Sequence, residues 1–165
     1  MVYVTTAGGS PISDQLYGIL RNCDLVMSCG STTDVEALLM GKDVIMMDTL
    51  RRADPKFRKL LMKDKYLEGC TVIDKRHSIS KAIDAVLPRG KGFIVGFFPT
   101  DHIRYGLDSE KDYFEFYTHY LKEVAKLRPR VWRLFVKLHP LEVKRSKHEK
   151  IVKKLGLSDF VEVFR

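Results

Sequence analysis

The sequence predicts an α/β protein: a three-layer sandwich in which helices cover both faces of a mostly parallel sheet. Short apolar runs of strand length alternate along the chain with segments whose apolar residues recur at helical spacing. The runs are apolar throughout, which is typical of strands buried on both faces. At 165 residues, with 45% hydrophobic and 30% charged residues, the chain is predicted to form one domain, 1–165.

The first half of the chain, residues 1–88, carries four predicted strands and four predicted helices. The strands are expected at 2–5, 24–27, 43–48 and 71–74, and the helices at 12–21, 33–40, 57–65 and 78–87. Gly41 ends the second helix, and residues 49–57 lack a period and are expected to form a loop. Residues 88–92, Pro-Arg-Gly-Lys-Gly, interrupt all periodicity and predict a linker.

The second half, residues 92–165, carries three predicted strands and two predicted helices. The strands are expected at 93–98, 133–138 and 160–164, and the helices at 110–127 and 148–155. The long helix has Tyr113, Tyr117 and Tyr120 at helical spacing. Such a stripe is expected to pack into the core and not to form a base-stacking surface.

A turn rich in small and hydroxyl residues joins the apolar run 24–27 to the next helix. Its residues Gly30, Ser31 and Thr32 lie where the first amides of a helix have no intrahelical partner, so they predict a phosphate site. Glu36, one turn into the helix, is suited to accept hydrogen bonds from two sugar hydroxyls. The alternative is a capping box, Thr33-x-x-Glu36, in which the glutamate only reaches back to the helix start.

The net charge of +8 is concentrated near the C-terminus. Residues 126–165 hold 12 of the 29 basic and 4 of the 21 acidic side chains. This favours a polyanion or a phosphorylated ligand, and a module that binds nucleic acid or another polyanion through residues 126–165 is a second hypothesis. A helix with a solvated basic face is the simpler alternative.

Other functional classes find little support in the sequence. The three cysteines have no C-x-x-C spacing, so neither a disulfide framework nor a metal site is predicted, and no cofactor is expected. No apolar run reaches the length of a membrane span, and no leader is evident, so the chain is expected to be cytoplasmic or a piece of a larger protein.

Two motifs carry a family resemblance. Residues 24–48, with the Gly-Ser-Thr turn, the glutamate, an apolar helix and Gly-Lys-x-Val-Ile, resemble the donor-nucleotide motif in the C-terminal half of GT-B glycosyltransferases and UDP-N-acetylglucosamine 2-epimerases. Lys137-Leu138-His139-Pro140 resembles the His-Pro motif of bacterial sialyltransferases, capsule polysaccharide transferases and glycerophosphotransferases. The resemblance covers nearly the whole chain and implies a Rossmann-like domain.

The resemblance also implies roles for individual residues. Gly30, Ser31 and Thr32 would hold the diphosphate of a UDP-, CMP- or CDP-linked donor, and Glu36 would bind its ribose. His139 would be the catalytic residue, donating to a phosphate oxygen as the leaving phosphate gains charge. Thr100, in the turn that follows residues 93–98, is a further candidate for a phosphate contact.

The order of the motifs departs from that family. Here the Gly-Ser-Thr half precedes the His-Pro half, so the sequence predicts a circular permutation in which the old ends are joined near residues 88–92. GT-B enzymes usually take the acceptor from another half, which is expected to be missing here. The sequence therefore predicts a donor-binding domain, and no activity is predicted for this domain in isolation. Its expected partner is an acceptor-binding domain or a second copy of this chain. An inactive permuted scaffold is the remaining alternative.

Overall fold

A computed structural model of the protein describes residues 11–29, 32–47, 69–73, 78–87, 92–99, 109–139 and 144–164. Within these ranges the order of elements is α1 (Pro11–Asn22), β1 (Leu25–Ser28), α2 (Thr32–Leu39), β2 (Asp43–Met47), β3 (Cys70–Ile73), α3 (Ile79–Val86), β4 (Phe93–Phe98), α4 (Glu110–Ala125), β5 (Val131–Lys137), α5 (Arg145–Lys154) and β6 (Val161–Phe164).

The six strands form one sheet in the order β3-β2-β1-β4-β5-β6, and every pair is parallel. The predicted α/β class and three-layer arrangement are therefore confirmed. Chain direction along the sheet reverses between β1 and β4, which gives the strand order of Rossmann-like folds and a switch point at the centre. The first half of the chain thus forms one side of the sheet, and the second half forms the other.

This strand order is the same whichever half comes first in the chain. Each half begins at the centre of the sheet and adds strands outward, so exchanging the halves renumbers the strands and returns the same order. The predicted circular permutation consequently stays a prediction from the order of the motifs.

The two halves are joined at the centre by β1 and β4. At the start of these strands, the backbone amide of Asp24 donates to the Ile94 carbonyl at 2.7 Å, and the Asp24 carboxylate accepts from the Ile94 amide at 2.8 Å. This reciprocal pair fixes the register, in which Leu25 lies beside Val95 and Ser28 beside Phe98.

The two faces of the sheet are covered differently. One face, here called the aromatic face, packs against α3, α4 and α5 in the larger core cluster. There Tyr120 stacks on Phe97 with ring centroids 3.8 Å apart, and Tyr117 is also fully buried. The other face, here called the α1/α2 face, has a smaller described cluster around Leu20, Cys23 and Val26. The predicted burial of the tyrosine stripe is confirmed.

Several predicted boundaries differ from the structure by a few residues. Strand β5 begins at Val131, not at 133, because a bulge between Phe93 and Ile94 lets the strand include the exposed Trp132. Helix α5 begins at Arg145, not at 148, and α4 ends at Ala125, not at 127. The predicted strand 2–5, loop 49–57 and helix 57–65 lie outside the described residues, as does most of the linker 88–92.

Candidate functional site

The predicted site residues follow three strands that are neighbours in the sheet. The Gly-Ser-Thr turn follows β1, Thr100 follows β4, and His139 follows β5. Parallel strands bring these segments to one edge, and the switch point between β1 and β4 is where open α/β sheets bind ligands. The strands that precede the two motifs, β1 and β5, thus lie on either side of β4, although a hundred residues separate them in the sequence.

Part of the predicted cradle lies outside the described residues. Gly30, Ser31 and Thr100 are not described, and of Thr32 the structure gives the backbone, which begins α2. Three residues separate the end of the buried strand β1, at Ser28, from the start of α2, at Thr32. The N-terminus of α2, which is the positive end of the helix dipole, accordingly lies at the carboxyl edge of the sheet.

Glu36 is the fifth residue of α2 and is partly buried. Its Oε1 atom lies 3.4 Å from the hydroxyl of Tyr17 on α1, which donates to it. Burial raises the pKa of the Glu36 carboxyl, and the Tyr17 hydrogen bond opposes this shift. In a capping box the glutamate turns back to the start of its helix, whereas the contact described here joins α2 to α1.

His139 is half-buried and follows β5 by two residues. The segment is held to the sheet, because the Leu138 amide donates to the Phe164 carbonyl at 2.9 Å. Since β4 lies between β1 and β5, the ends of β1 and β5 are about 10 Å apart. Between these two strand ends lies the end of β4, where Phe98 and Pro99 are buried. A bound ligand can span the distance of about 10 Å between the ends of β1 and β5.

Lys137, which the motif interpretation gave no role of its own, is buried at this edge. It is the last residue of β5 and is only 5% exposed. Its Nζ donates to the Leu138 carbonyl at 3.2 Å, and burial lowers the pKa of its ammonium group. Strand alternation is the signal that predicts its position, because Val136 and Leu138 on either side belong to the aromatic face.

Other described features do not form a competing catalytic centre. Burial raises the pKa of the Cys23 and Cys70 thiols to about 11, so both are protonated at neutral pH and are poor nucleophiles. Within the described ranges, no group of three His, Cys, Asp or Glu side chains is placed to hold a metal ion. None of the described helices is both long and apolar enough to cross a membrane.

An open groove of about 670 Å³ runs along the outer side of α4, where it is bordered by Phe114, His119 and Lys147. Neither Glu36 nor His139, the predicted site residues whose side chains are described, lines it. The groove is wide and shallow, and several of its charged side chains pair within the protein, as Lys147 does with Glu110 at 2.6 Å. The carboxyl edge of the sheet is therefore the better candidate. The switch point of the strand order, the N-terminus of α2 and the buried Lys137 all lie at this edge.

The basic C-terminal segment is partly neutralised within the protein. Six of its basic side chains form ion pairs with carboxylates of the described residues: Lys126 with Glu123, Arg128 with Asp159, Arg130 with Asp84, Lys144 and Lys147 with Glu110, and Arg145 with Glu149. The segment thus presents less unpaired positive charge than its composition suggests.

Comparisons with known proteins add no relative to this description. The chain was matched by no protein-family model, no curated protein and no solved structure. The resemblance to GT-B glycosyltransferases accordingly remains a prediction that depends on the two motifs and their places in the sheet.

Proposed function

We propose that this protein binds a nucleotide-linked donor, of the UDP, CMP or CDP type, at the carboxyl edge of its sheet. In this proposal the Gly-Ser-Thr turn and His139 hold the phosphates, Thr100 adds a phosphate contact, and Glu36 binds the ribose. The observation that carries the proposal is the adjacency of β1, β4 and β5, each of which is followed by one part of the cradle.

The chemistry of each group suits its role. Backbone amides at a helix start bind phosphate oxygens without any charged side chain. An imidazole ring carries an N–H donor, so His139 can donate to an oxygen that gains negative charge as the phosphate leaves. Glu36 is anchored by Tyr17 through one oxygen at a long 3.4 Å, and a carboxylate retains further acceptor sites for sugar hydroxyls.

The polyanion hypothesis draws on the same +8 charge but has weaker support. Its basic residues are spread over α5, β5 and the turn between α4 and β5, and half of them pair with carboxylates. Polyanion binding would weaken steeply with salt, because bound phosphates release counterions. Donor binding through amides and hydrogen bonds would depend on salt far less.

Calorimetric titration with UDP, CMP and CDP tests the proposal. The wild-type chain is expected to bind at least one of them saturably. Glu36→Gln and His139→Ala are each expected to weaken binding about tenfold or more, which is the usual size of a hydrogen bond to a charged group.

Glu115→Gln and His119→Ala are the matched controls, because both residues are exposed on α4. They are expected to bind as the wild type does. A folded wild-type chain that binds none of the three nucleotides would contradict the proposal. So would Glu36→Gln and His139→Ala variants that bind as tightly as the controls.

A further inference from the structure

A row of residues crosses the α1/α2 face of the sheet at its carboxyl edge. The register aligns Met46 of β2 with Ser28 of β1, and Ser28 with Phe98 of β4. One residue beyond the Phe97–Val136 pair, Phe98 lies beside Lys137, which in turn pairs with Phe164 of β6. Lys137 is the only charged residue in this row and lies between two aromatic residues.

The described residues satisfy little of the hydrogen-bonding capacity of Lys137. An ammonium group has three N–H donors, and a single acceptor, the Leu138 carbonyl, is present for them in the described part of the chain. Those ranges also offer Lys137 no carboxylate within ion-pair distance. Burying a cation without a counter-ion lowers the free energy of unfolding. A contribution to stability therefore does not explain why Lys137 is buried here.

The side chain points toward the candidate site. Its Nζ reaches the carbonyl of the next residue along the chain, so it extends toward the carboxyl end of β5, where His139 follows two residues later. The lowered pKa of the ammonium group agrees with burial that no anion compensates.

We propose that Lys137 is a phosphate-binding residue, whose ammonium group contacts a phosphate oxygen of a ligand at the carboxyl end of β5, beside His139. The bound anion is the missing counter-ion of the buried lysine. This inference rests on the proposed function for the place of the ligand and extends it by a charged contact. The ligand chemistry is a phosphate or diphosphate group, carried by a nucleotide or free.

The test compares Lys137→Met with Lys153→Met in titrations with pyrophosphate, with CDP and UDP, and with the nucleosides cytidine and uridine. Methionine keeps the length and apolar stem of lysine and removes the charge. Lys153 is exposed in the last turn of α5 and serves as the control. Lys137→Gln, which keeps a polar donor, replaces the methionine variant if that variant does not fold.

We expect Lys137→Met to weaken the binding of pyrophosphate and of the nucleoside diphosphates about tenfold to a hundredfold. Nucleoside binding and the Lys153→Met variant are expected to be unchanged. The thermal midpoint of Lys137→Met is expected to equal or exceed that of the wild type, because an apolar side chain is cheaper to bury than an unpaired cation. A residue kept for folding alone would show the opposite shift.

The outcomes separate this inference from the proposed function. If Lys137→Met binds pyrophosphate and nucleoside diphosphates as the wild type does, the inference is wrong, and donor binding that depends on Glu36 still stands. If pyrophosphate binding requires Lys137 but nucleotides bind no better than pyrophosphate, the inference stands for a free phosphate ligand and the donor proposal fails. A wild-type chain that binds no phosphate compound overturns both.

Discussion

The two faces of the sheet differ in what their buried residues do. The aromatic face carries the larger core cluster, and its described centre is a set of stacked and edge-packed rings from β4 and α4. Among the described residues, the α1/α2 face has a smaller cluster and partly buried rings such as Phe135 and Phe164. On that face lie the buried Lys137 and the Tyr17–Glu36 contact. One face therefore stabilises the fold, and the other holds the polar groups of the candidate site.

The largest expected effect comes from removing a ring on each face. Tyr120→Ala on the aromatic face is expected to lower the free energy of unfolding by about 3–5 kcal/mol, because it leaves a large cavity beside Phe97. Phe135→Ala on the α1/α2 face is expected to lower it by only about 1–2 kcal/mol, because the ring is only partly buried. Urea denaturation of both variants measures the difference, and equal losses would break the contrast between the faces.

A smaller effect in the opposite direction is expected from Tyr117→Phe. The Tyr117 hydroxyl is buried on the aromatic face without a hydrogen-bond partner in the described part of the protein. Removing it is expected to raise the free energy of unfolding by about 1 kcal/mol. Tyr120→Phe is the control, because the Tyr120 hydroxyl donates to the Met27 sulfur at 3.4 Å. It should show no gain, and a loss of stability in Tyr117→Phe would show that the hydroxyl has a partner.

The smallest expected effect is a change in stability at acidic pH. Hydrogen bonds from Lys144 and Lys147 lower the pKa of the Glu110 carboxyl from 4.5 to about 2. A lowered carboxyl pKa stabilises the folded state above pH 4.5, and this contribution is lost as pH falls from 4.5 toward 2. The stability deficit of Glu110→Gln relative to the wild type is therefore expected to shrink over that window.

Thermal midpoints at pH 6, 4 and 3 measure this change. Glu115→Gln is the control, because Glu115 pairs only loosely with Lys111, at 3.9 Å, among the described residues. A deficit for Glu110→Gln that is constant with pH would show that the ion pairs joining α4 to α5 do not contribute to acid stability.

Much of the fold could be predicted because the spacing of apolar residues distinguishes strands from helices. Continuous apolar runs predicted the strands, and apolar residues at helical spacing predicted the helices. The run Leu25–Ser28 is buried at every residue, and its continuous hydrophobicity predicted a strand covered on both faces. The tyrosines of α4 repeat at helical spacing, which predicted their burial correctly. The start of β5 could not be predicted from the sequence. The bulge that brings Val131 into the strand depends on the pairing with β4, and no sequence pattern indicates it.

The candidate site could be predicted only where a motif carried it. Glu36 and His139 were identified by spacing and resemblance, but the contact between Glu36 and Tyr17 depends on how α1 packs beside α2. Lys137 is one of many lysines in a basic segment, so the composition of that segment did not indicate that this lysine is buried. Its burial became evident from the sheet, where the strand register places it between Phe98 and Phe164.

The central pairing of β1 with β4 also has a consequence for synthesis on the ribosome. β1 pairs with β2 on one side and with β4 on the other, and β4 is made only after β3 and α3. At about 5–20 residues per second, the nascent chain waits for several seconds with the inner edge of β1 open. That apolar edge is a template for pairing with other chains during this interval, so the same junction that unites the finished sheet is open while the protein is being made.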